Sequence, residues 1–142
     1  MAIQAGVKIN QFADKLNAGI REEMYRRGEK ITEALRNAEV EVLSGTRTGK
    51  KYKHLKARSS APGEPPAVQS GDLRQNWDEI TIRQGNGHNA AITSRIKSET
   101  EYAEYLENGT SHMASRPFVD RIIDKAEPEI LEIARAPYGP HL

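Results

Sequence analysis

Two glycine-rich stretches contain residue types that bind phosphate groups in other proteins. Residues 45–51 (GTRTGKK) have three residues between the glycines, whereas a phosphate-binding P-loop has four, and Lys51 stands where that loop needs Ser or Thr for magnesium. Residues 85–90 (GNGHNA) match a loose dinucleotide-binding pattern, but the alternating residues that follow predict a strand instead of a helix. Neither stretch therefore predicts a nucleotide site, and residues 85–87 are interpreted as a hairpin turn.

The other polar residues form no recognisable catalytic or metal-binding pattern. The chain has no cysteine, and its four histidines are far apart, without the spacing of zinc ligands. They are His54, His88, His112 and His141. Ser111 precedes His112, but nothing nearby predicts the base geometry and oxyanion hole of a serine nucleophile. We therefore expect no catalytic residue, no metal, no cofactor and no enzyme activity.

The composition predicts one domain with a small apolar core. The chain has 142 residues, of which Leu, Ile, Val and Phe account for 27, and its 21 Lys and Arg nearly cancel its 20 Asp and Glu. Such a composition favours a protein that gains stability by assembling with copies of itself or with partners. No apolar run approaches the roughly 20 residues that cross a bilayer, and no signal peptide is recognisable at the N-terminus. We expect synthesis in the cytoplasm and no membrane association.

Positive charge is concentrated in one segment. Residues 44–76 contain seven basic and two acidic side chains, whereas residues 77–115 contain three basic and six acidic ones. Six basic residues lie close together: Arg47, Lys50, Lys51, Lys53, Lys56 and Arg58. They neutralise nucleic-acid phosphates without reading the base sequence, dock on an acidic protein surface such as residues 99–107 of another copy, or form a solvated charged loop. Only Tyr52 is interleaved among them, which argues against binding by base stacking.

A long amphipathic helix is predicted over residues 9–43. Apolar residues recur there at the spacing of one helix face. They are Ile9, Phe12, Leu16, Ile20, Met24, Ile31, Leu35, Ala38 and Val42. Gly45 is placed to end the helix in a left-handed cap. Glycine within a helix costs about 1 kcal/mol relative to alanine. We therefore expect Gly19 and Gly28 each to mark a bend or a close contact that needs the absence of a side chain.

A long loop and a hairpin follow the helix. Residues 44–76 are rich in Gly and Pro and predict a basic loop. Residues 77–115 predict a β-hairpin and then a short helix or strand at YAEYLENGT. A three-residue turn pairs Ile80 with Ile92, and Ile82 with Ala90, and thereby places the apolar side chains on one face.

The chain is expected to end in a helix and a loose tail. The helix is predicted over residues 116–135, with Pro117 near its first turn and one buried stripe. The stripe consists of Phe118, Ile122, Ala126, Ile130 and Ile133. We expect a kink near Pro128, because proline removes a helical hydrogen bond, and a loose tail over residues 136–142. The order of helix, loop, hairpin and helix predicts a single α+β domain.

Two stretches of the chain resemble the motifs of a known family. Residues 60–67 (SAPGEPPA) lead into residues 70–74 (SGDLR), and residues 102–110 (YAEYLENGT) are followed by residues 113–118 (MASRPF). Their order and spacing are similar to those of the tail-completion, or head–tail joining, family of long-tailed bacteriophages and prophages. The resemblance covers about residues 44–125, and the long N-terminal helix is also typical of that family.

The resemblance implies a structural virion protein of the phage neck, assembled in the host cytoplasm. It implies a homo-oligomeric ring around the DNA channel, between the DNA-filled head and the tail tube. The implied partners are further copies of the chain, the head-side connector or stopper protein, and the tail terminator or tail tube protein. Weak, nonspecific Lys and Arg contacts suit DNA that must pass through the ring. Alternatively, residues 44–67 reach a neighbouring ring and become ordered only on assembly.

The second motif contains the residues that we expect to contact a neighbouring subunit or ring. They are Tyr102, Tyr105, Leu106, Glu107, Arg116, Pro117 and Phe118. Arg116 is expected to reach a carboxylate such as that of Glu107. The same residues also suit plain stabilisation of the fold, so both roles stay open. The alternative function is a small nucleic-acid-binding protein without sequence specificity, which uses residues 47–58.

Overall fold

The chain folds into the α+β arrangement that its sequence predicts. The computed structural model describes residues 2–86 and 89–142, and the side chains of residues 13–86, 89–140 and 142. Gly87 and His88, at the predicted turn, lie outside the described residues. The elements in chain order are α1 (Ala2–Val42), α2 (Asp72–Gln75), β1 (Trp77–Gln84), β2 (Ala91–Ser98), α3 (Ala103–Asn108) and α4 (Val119–Arg135), followed by a 3₁₀ turn (Gly139–His141).

Helix α1 has 41 residues, which corresponds to about 62 Å at 1.5 Å per residue. It begins before the predicted start at residue 9, because residues 2–8 (AIQAGVK) include good helix formers. From Ile20 onwards the predicted apolar stripe is at least partly buried, whereas Leu16 is 41 % exposed. Residues 13–18 are all exposed, so this part of α1 extends beyond the elements that pack on it.

The end of α1 differs from the left-handed glycine cap predicted at Gly45. Positive φ angles among the described residues occur at Gly63, Gly71, Gly85 and Gly109. Arg47 instead folds back on the helix, and its Nη2 donates to Val42 O at 2.7 Å. A side-chain donor thus satisfies one of the carbonyl groups that a helix end leaves free.

Strands β1 and β2 form a two-stranded antiparallel sheet, and the predicted register is wrong. Ile80 lies opposite Arg95, and Ile82 lies opposite Thr93, so neither isoleucine has the apolar partner that the three-residue turn requires. The strands are separated by residues 85–90. The physical reason lies in the other face of the sheet, where α1 packs.

Helix α1 meets the sheet at Gly28, where the absence of a side chain lets the helix come close. A Cβ at this position would lie 2.4 Å from Ile92 Cγ2 and 3.1 Å from Thr81 Cγ2. Ser94 Oγ donates to Gly28 O at 2.6 Å, and Thr32 Oγ1 donates to the same carbonyl at 2.9 Å. The close contact predicted at Gly28 is confirmed. On β1, Thr81 faces the helix in place of Ile80 and Ile82, and its hydroxyl lies 3.0 Å from that of Thr32. On β2, Ile92 and Ser94 share the inner face, as the alternation predicts.

The buried core is small, and most of it lies between the C-terminal half of α1 and α4. Its members are Ala38, Leu43, Leu73, Phe118, Ile122 and Ala126. The Phe118 ring is edge-on to the ring of Trp77, with 6.2 Å between the ring centres, a favourable aromatic geometry. The small core therefore agrees with the low content of large apolar residues.

Helix α4 is continuous through Pro128. It begins at Val119, three residues after the predicted start, so Pro117 precedes the helix. The predicted apolar stripe is confirmed, because Ile122 and Ala126 are buried and Ile130 is half-buried. The kink near Pro128 stays a prediction.

The tail predicted to be loose, residues 136–142, is held against α1. Arg27 is 5 % exposed, and its Nη1 donates to Ala136 O at 2.6 Å, while its Nη2 donates to Pro137 O at 3.0 Å. The Tyr138 ring lies over the guanidinium, with 3.9 Å between Arg27 Cζ and the ring centre. The tail is fixed because one buried guanidinium binds carbonyl groups just beyond the end of α4.

The segment predicted as one loop, residues 44–76, contains the short helix α2. Arg36 of α1 donates to Arg74 O at 3.1 Å and to Gln75 O at 3.3 Å, which are carbonyl groups at the end of α2. Arg36 also pairs with Glu39, whose side chain is fully buried. These contacts attach α2 to α1 across almost 40 residues of sequence, which a local pattern does not reveal.

Candidate interaction surfaces

The segments that resemble the family motifs, residues 60–67 and residues 102–118, lie against each other. Gly63 N donates to Ser115 O at 3.2 Å, and Arg121 Nη2 donates to Gly63 O at 2.8 Å. Gly63 has a φ of 83°, a conformation that glycine adopts without steric cost. The two motif segments therefore form one structural unit, although they are far apart in the sequence.

Arg116 joins the two segments through Ser60, so the expected pairing with Glu107 is wrong. Arg116 Nε donates to Ser60 Oγ at 2.9 Å, and Nη1 donates to Ala114 O at 2.8 Å. The backbone N–H of Arg116 donates to Leu106 O at 2.6 Å. The guanidinium binds serine and backbone oxygens because the carboxylate of Glu107 faces backbone donors elsewhere.

Glu107 accepts two backbone hydrogen bonds at the start of α4. Its Oε2 lies 2.7 Å from Phe118 N and 3.2 Å from Val119 N. The first N–H groups of a helix lack partners within the helix, and a carboxylate there also interacts favourably with the helix dipole. Glu107 therefore caps α4 from α3, a role that sequence reasoning did not identify.

The other residues expected at a subunit contact differ in exposure. Tyr102 and Tyr105 are 43 % and 60 % exposed. Leu106 and Pro117 are half-buried, and Phe118 is part of the core. Tyrosine is enriched at protein interfaces. Tyr102 and Tyr105 are therefore the members of the set whose rings are free to meet a neighbour, whereas Phe118 stabilises this chain.

The basic loop forms a closed structure over residues 49–59, which we call the basic finger. Gly49 N donates to Ser59 O at 2.8 Å, and Ser59 N donates to Lys50 O at 3.1 Å. A Cβ at position 49 would lie 2.4 Å from Ser59 O, so glycine permits the two sides of the finger to approach. The finger is therefore held together by its own backbone.

Arg47 and Glu64 anchor the base of the basic finger. Arg47 Nε donates to Pro65 O at 2.7 Å, and burial lowers the pKa of Arg47. The Glu64 carboxylate accepts hydrogen bonds from the Thr48 hydroxyl, from Ala61 N at 2.8 Å and from Thr48 N at 3.1 Å. These bonds, led by that of the hydroxyl, lower the pKa of Glu64 from 4.5 to about 2. Arg47 is thus part of the fold rather than a free cation.

The other predicted cations of the basic finger are exposed. They are Lys50, Lys51, Lys53, Lys56 and Arg58. Lys51 Nζ donates to Leu55 O at 2.6 Å and to Lys56 O at 2.7 Å, so it closes the tip of the finger. The side chains of Lys53 and Lys56 have no hydrogen-bond or ion-pair partner within residues 2–86 and 89–142. These two lysines are therefore the cations most available to an external partner.

Two structural anchors were missed by sequence reasoning. Glu64 lies within the first motif, so its position was noticed but its carboxylate was assigned no role. Arg27 lies among the charged residues of α1, and no local pattern indicates that it binds the carbonyl groups beyond the end of α4. Besides the nearby Glu23 carboxylate, its acceptors lie more than 100 residues away, at Ala136 and Pro137.

The described part of the chain holds no group of three or more His, Asp or Glu side chains that could bind a metal ion. None of its helices is long and apolar enough to span a membrane. His54 and His112 are exposed. Comparison of the chain with protein-family models, with curated proteins and with solved structures gives no match. The family resemblance therefore depends on the motif residues themselves.

Proposed function

We propose that this chain is a non-enzymatic structural protein of the phage neck. It joins the DNA-filled head to the tail tube as part of a homo-oligomeric ring around the DNA channel. The observation that supports the proposal best is the contact between the two family-like motifs, through Ser60 with Arg116 and Gly63 with Ser115. Motifs that resemble one family support a shared function more strongly when they contact each other in the fold than when they lie apart.

The architecture of the chain also suits assembly into a larger particle. A two-stranded sheet is marginally stable by itself, and β1 and β2 have no further strand beside them among the described residues. Helix α1 extends beyond the elements packed on it, and Tyr102 and Tyr105 are exposed. These features leave surfaces for contacts with other copies of the chain, the head-side connector or stopper, and the tail terminator or tail tube protein.

The location of the chain in virions tests this proposal. Virions of the phage or prophage that encodes it are purified, and the chain is located by immunogold electron microscopy. We expect label at the junction of head and tail, and none on particles assembled without the gene. Absence of the chain from purified, infectious virions would overturn the proposal.

A second function, binding of nucleic acid without sequence specificity, is favoured by one observation. Residues 49–59 contain five Lys and Arg and no Asp or Glu. If the basic finger neutralises phosphates, affinity for duplex DNA falls steeply with salt, with a slope of about −0.9 per phosphate contacted. Tight binding at physiological salt that is lost in Lys53→Ala/Lys56→Ala would support this function. Undetectable binding by the unmodified chain at low salt would reject it.

A further inference from the structure

Two exposed segments of the chain carry opposite charge. The basic finger, residues 49–59, has five Lys and Arg and no acidic residue. Residues 99–107, which we call the acidic segment, have four Glu and no Lys or Arg. The acidic segment leads into and includes most of α3 (Ala103–Asn108). The two segments are therefore complementary in charge.

In each segment, some charged side chains have partners within the chain and others have none among the described residues. In the acidic segment, Glu99 pairs with Lys97 at 3.2 Å, and Glu107 caps α4. Glu101 and Glu104 are exposed, and neither has an ion-pair or hydrogen-bond partner for its side chain among the residues that the structure describes. Lys53 and Lys56 likewise have no partner in the basic finger, so each segment has at least two charges available to a partner.

Exposed tyrosines accompany both sets of free charges. Tyr52 in the basic finger is 40 % exposed, with Lys50 Nζ 4.9 Å from its ring centre. Tyr102 and Tyr105 flank Glu104 in the acidic segment. Tyrosine adds apolar contact area and a hydroxyl group to an interface. The two segments therefore offer both charge and contact area.

The structure favours a protein surface over a nucleic acid as the partner of the finger. Lys50 and Tyr52, at the base of the finger, line the same hollow as Leu106 at the end of α3. Leu106 belongs to the acidic segment, so that segment lies near the base of the finger, and its net negative charge disfavours a polyanion there. No ion pair joins the two segments within the described part of one chain. Lys53 and Lys56 therefore remain available to the acidic segment of another copy.

We propose that the basic finger of one copy binds the acidic segment of a neighbouring copy, with Lys53 and Lys56 facing Glu101 and Glu104. This inference rests on the self-assembly that is part of the proposed function, and it identifies the surfaces that mediate it. Because unlike surfaces meet, the contact continues from copy to copy and closes into a ring when the rotation permits.

A charge-reversal experiment tests the proposed contact. The finger variant is Lys53→Glu/Lys56→Glu, and the acidic-segment variant is Glu101→Lys/Glu104→Lys. Each variant alone brings like charges together, so we expect self-association to be weakened by at least about tenfold. Mixed in equal amounts, each variant offers the charge that the other lacks, so association is restored. Mass is measured by light scattering after size-exclusion chromatography, at low and at high salt.

A matched control separates this contact from a general effect of charge. Lys30→Glu/Arg135→Glu makes the same change in net charge as the finger variant, at an exposed lysine of α1 and an exposed arginine at the end of α4, and it is expected to assemble like the unmodified chain. Circular dichroism establishes that every variant is folded. Single variants that assemble normally, or a mixture that fails to assemble, would overturn the inference.

The remaining outcomes distinguish this inference from the function on which it rests. An unmodified chain that stays monomeric overturns the finger contact, whereas gold label at the neck would still support the joining role. A finger variant that assembles normally but no longer binds duplex DNA would assign the finger to nucleic acid. If none of the three pairs of substitutions affects assembly, the finger contact is rejected, and the copies of the ring are held together at other surfaces.

Discussion

Replacing Gly28 by alanine adds one methyl group at the closest approach of α1 to the sheet. The new Cβ would lie 2.4 Å from Ile92 Cγ2 and 3.1 Å from Thr81 Cγ2. Carbon atoms pack at about 3.5–4.0 Å, so the helix or the strand has to move by about 1 Å. Ile92 is β-branched and does not rotate away easily. Such overpacking costs about 1–3 kcal/mol, which exceeds or cancels the gain of about 1 kcal/mol of alanine over glycine in a helix.

Gly19→Ala is the matched control for this effect. It lies in the same helix, and its Cβ would meet Leu142 Cδ2 at 3.4 Å, an ordinary contact. The helix-propensity gain is common to both variants, so the difference between them isolates the steric cost. We expect the free energy of unfolding of Gly28→Ala to be about 1–3 kcal/mol lower than that of Gly19→Ala. Each kcal/mol corresponds to roughly 3–5 °C in the thermal midpoint.

Urea denaturation followed by circular dichroism measures this difference, at one protein concentration because assembly shifts apparent stability. Equal stability of the two variants, or a more stable Gly28→Ala, would refute the packing of α1 on the sheet through Gly28. It would also remove the explanation given for the strand register, because that explanation depends on the same close approach.

Three further substitutions test the contacts at Glu107, Glu64 and Arg27. Glu107→Ala removes the cap of α4, and urea denaturation is expected to show a loss of about 1–2 kcal/mol, with Glu132→Ala at an exposed position of α4 as the control. The lowered pKa of Glu64, about 2 against an ordinary 4.5, means that its contribution is complete above pH 4.5 and is lost as the pH falls towards 2. Glu64→Gln is therefore expected to reduce the drop in thermal midpoint between about pH 7 and about pH 3. Arg27→Lys loses the planar guanidinium, so chymotrypsin is expected to cleave after Tyr138 faster, as followed by mass spectrometry.

Each of these expectations has an outcome that contradicts it. The cap assignment fails if Glu107→Ala and Glu132→Ala are equally stable. An unchanged acid sensitivity in Glu64→Gln would show that other carboxylates dominate the pH dependence. Cleavage after Tyr138 at the same rate in Arg27→Lys and in the unmodified chain would mean that the tail is held by contacts other than those of the guanidinium.

The elements of the fold follow from patterns within short stretches of sequence. The apolar spacing of α1 and of α4 identifies one buried face in each helix, and Ala38 and Ile122 are indeed buried. Alternation of apolar and polar residues identifies β1 and β2 as strands. These signals are local, because helix and strand periodicity depend on neighbouring residues alone.

The errors concern contacts between residues that are distant in sequence. The register was predicted by pairing apolar residues across the hairpin, but α1 packs on the face of β1 that carries Thr81, so Ile80 and Ile82 lie on the other face. The tail was predicted to be loose because its sequence has no periodicity, whereas Arg27 of α1 fixes it. Arg116 was assigned a carboxylate by charge alone, although serine and backbone oxygens are nearer. Charge and periodicity do not specify which distant acceptor a guanidinium reaches.

The joining role is tested most directly by electron microscopy of particles from a phage or prophage that lacks this gene. The proposal predicts DNA-filled heads and finished tails that remain separate, and joined, infectious particles when the chain is supplied from a plasmid. Normal joined virions without the gene would contradict the joining role.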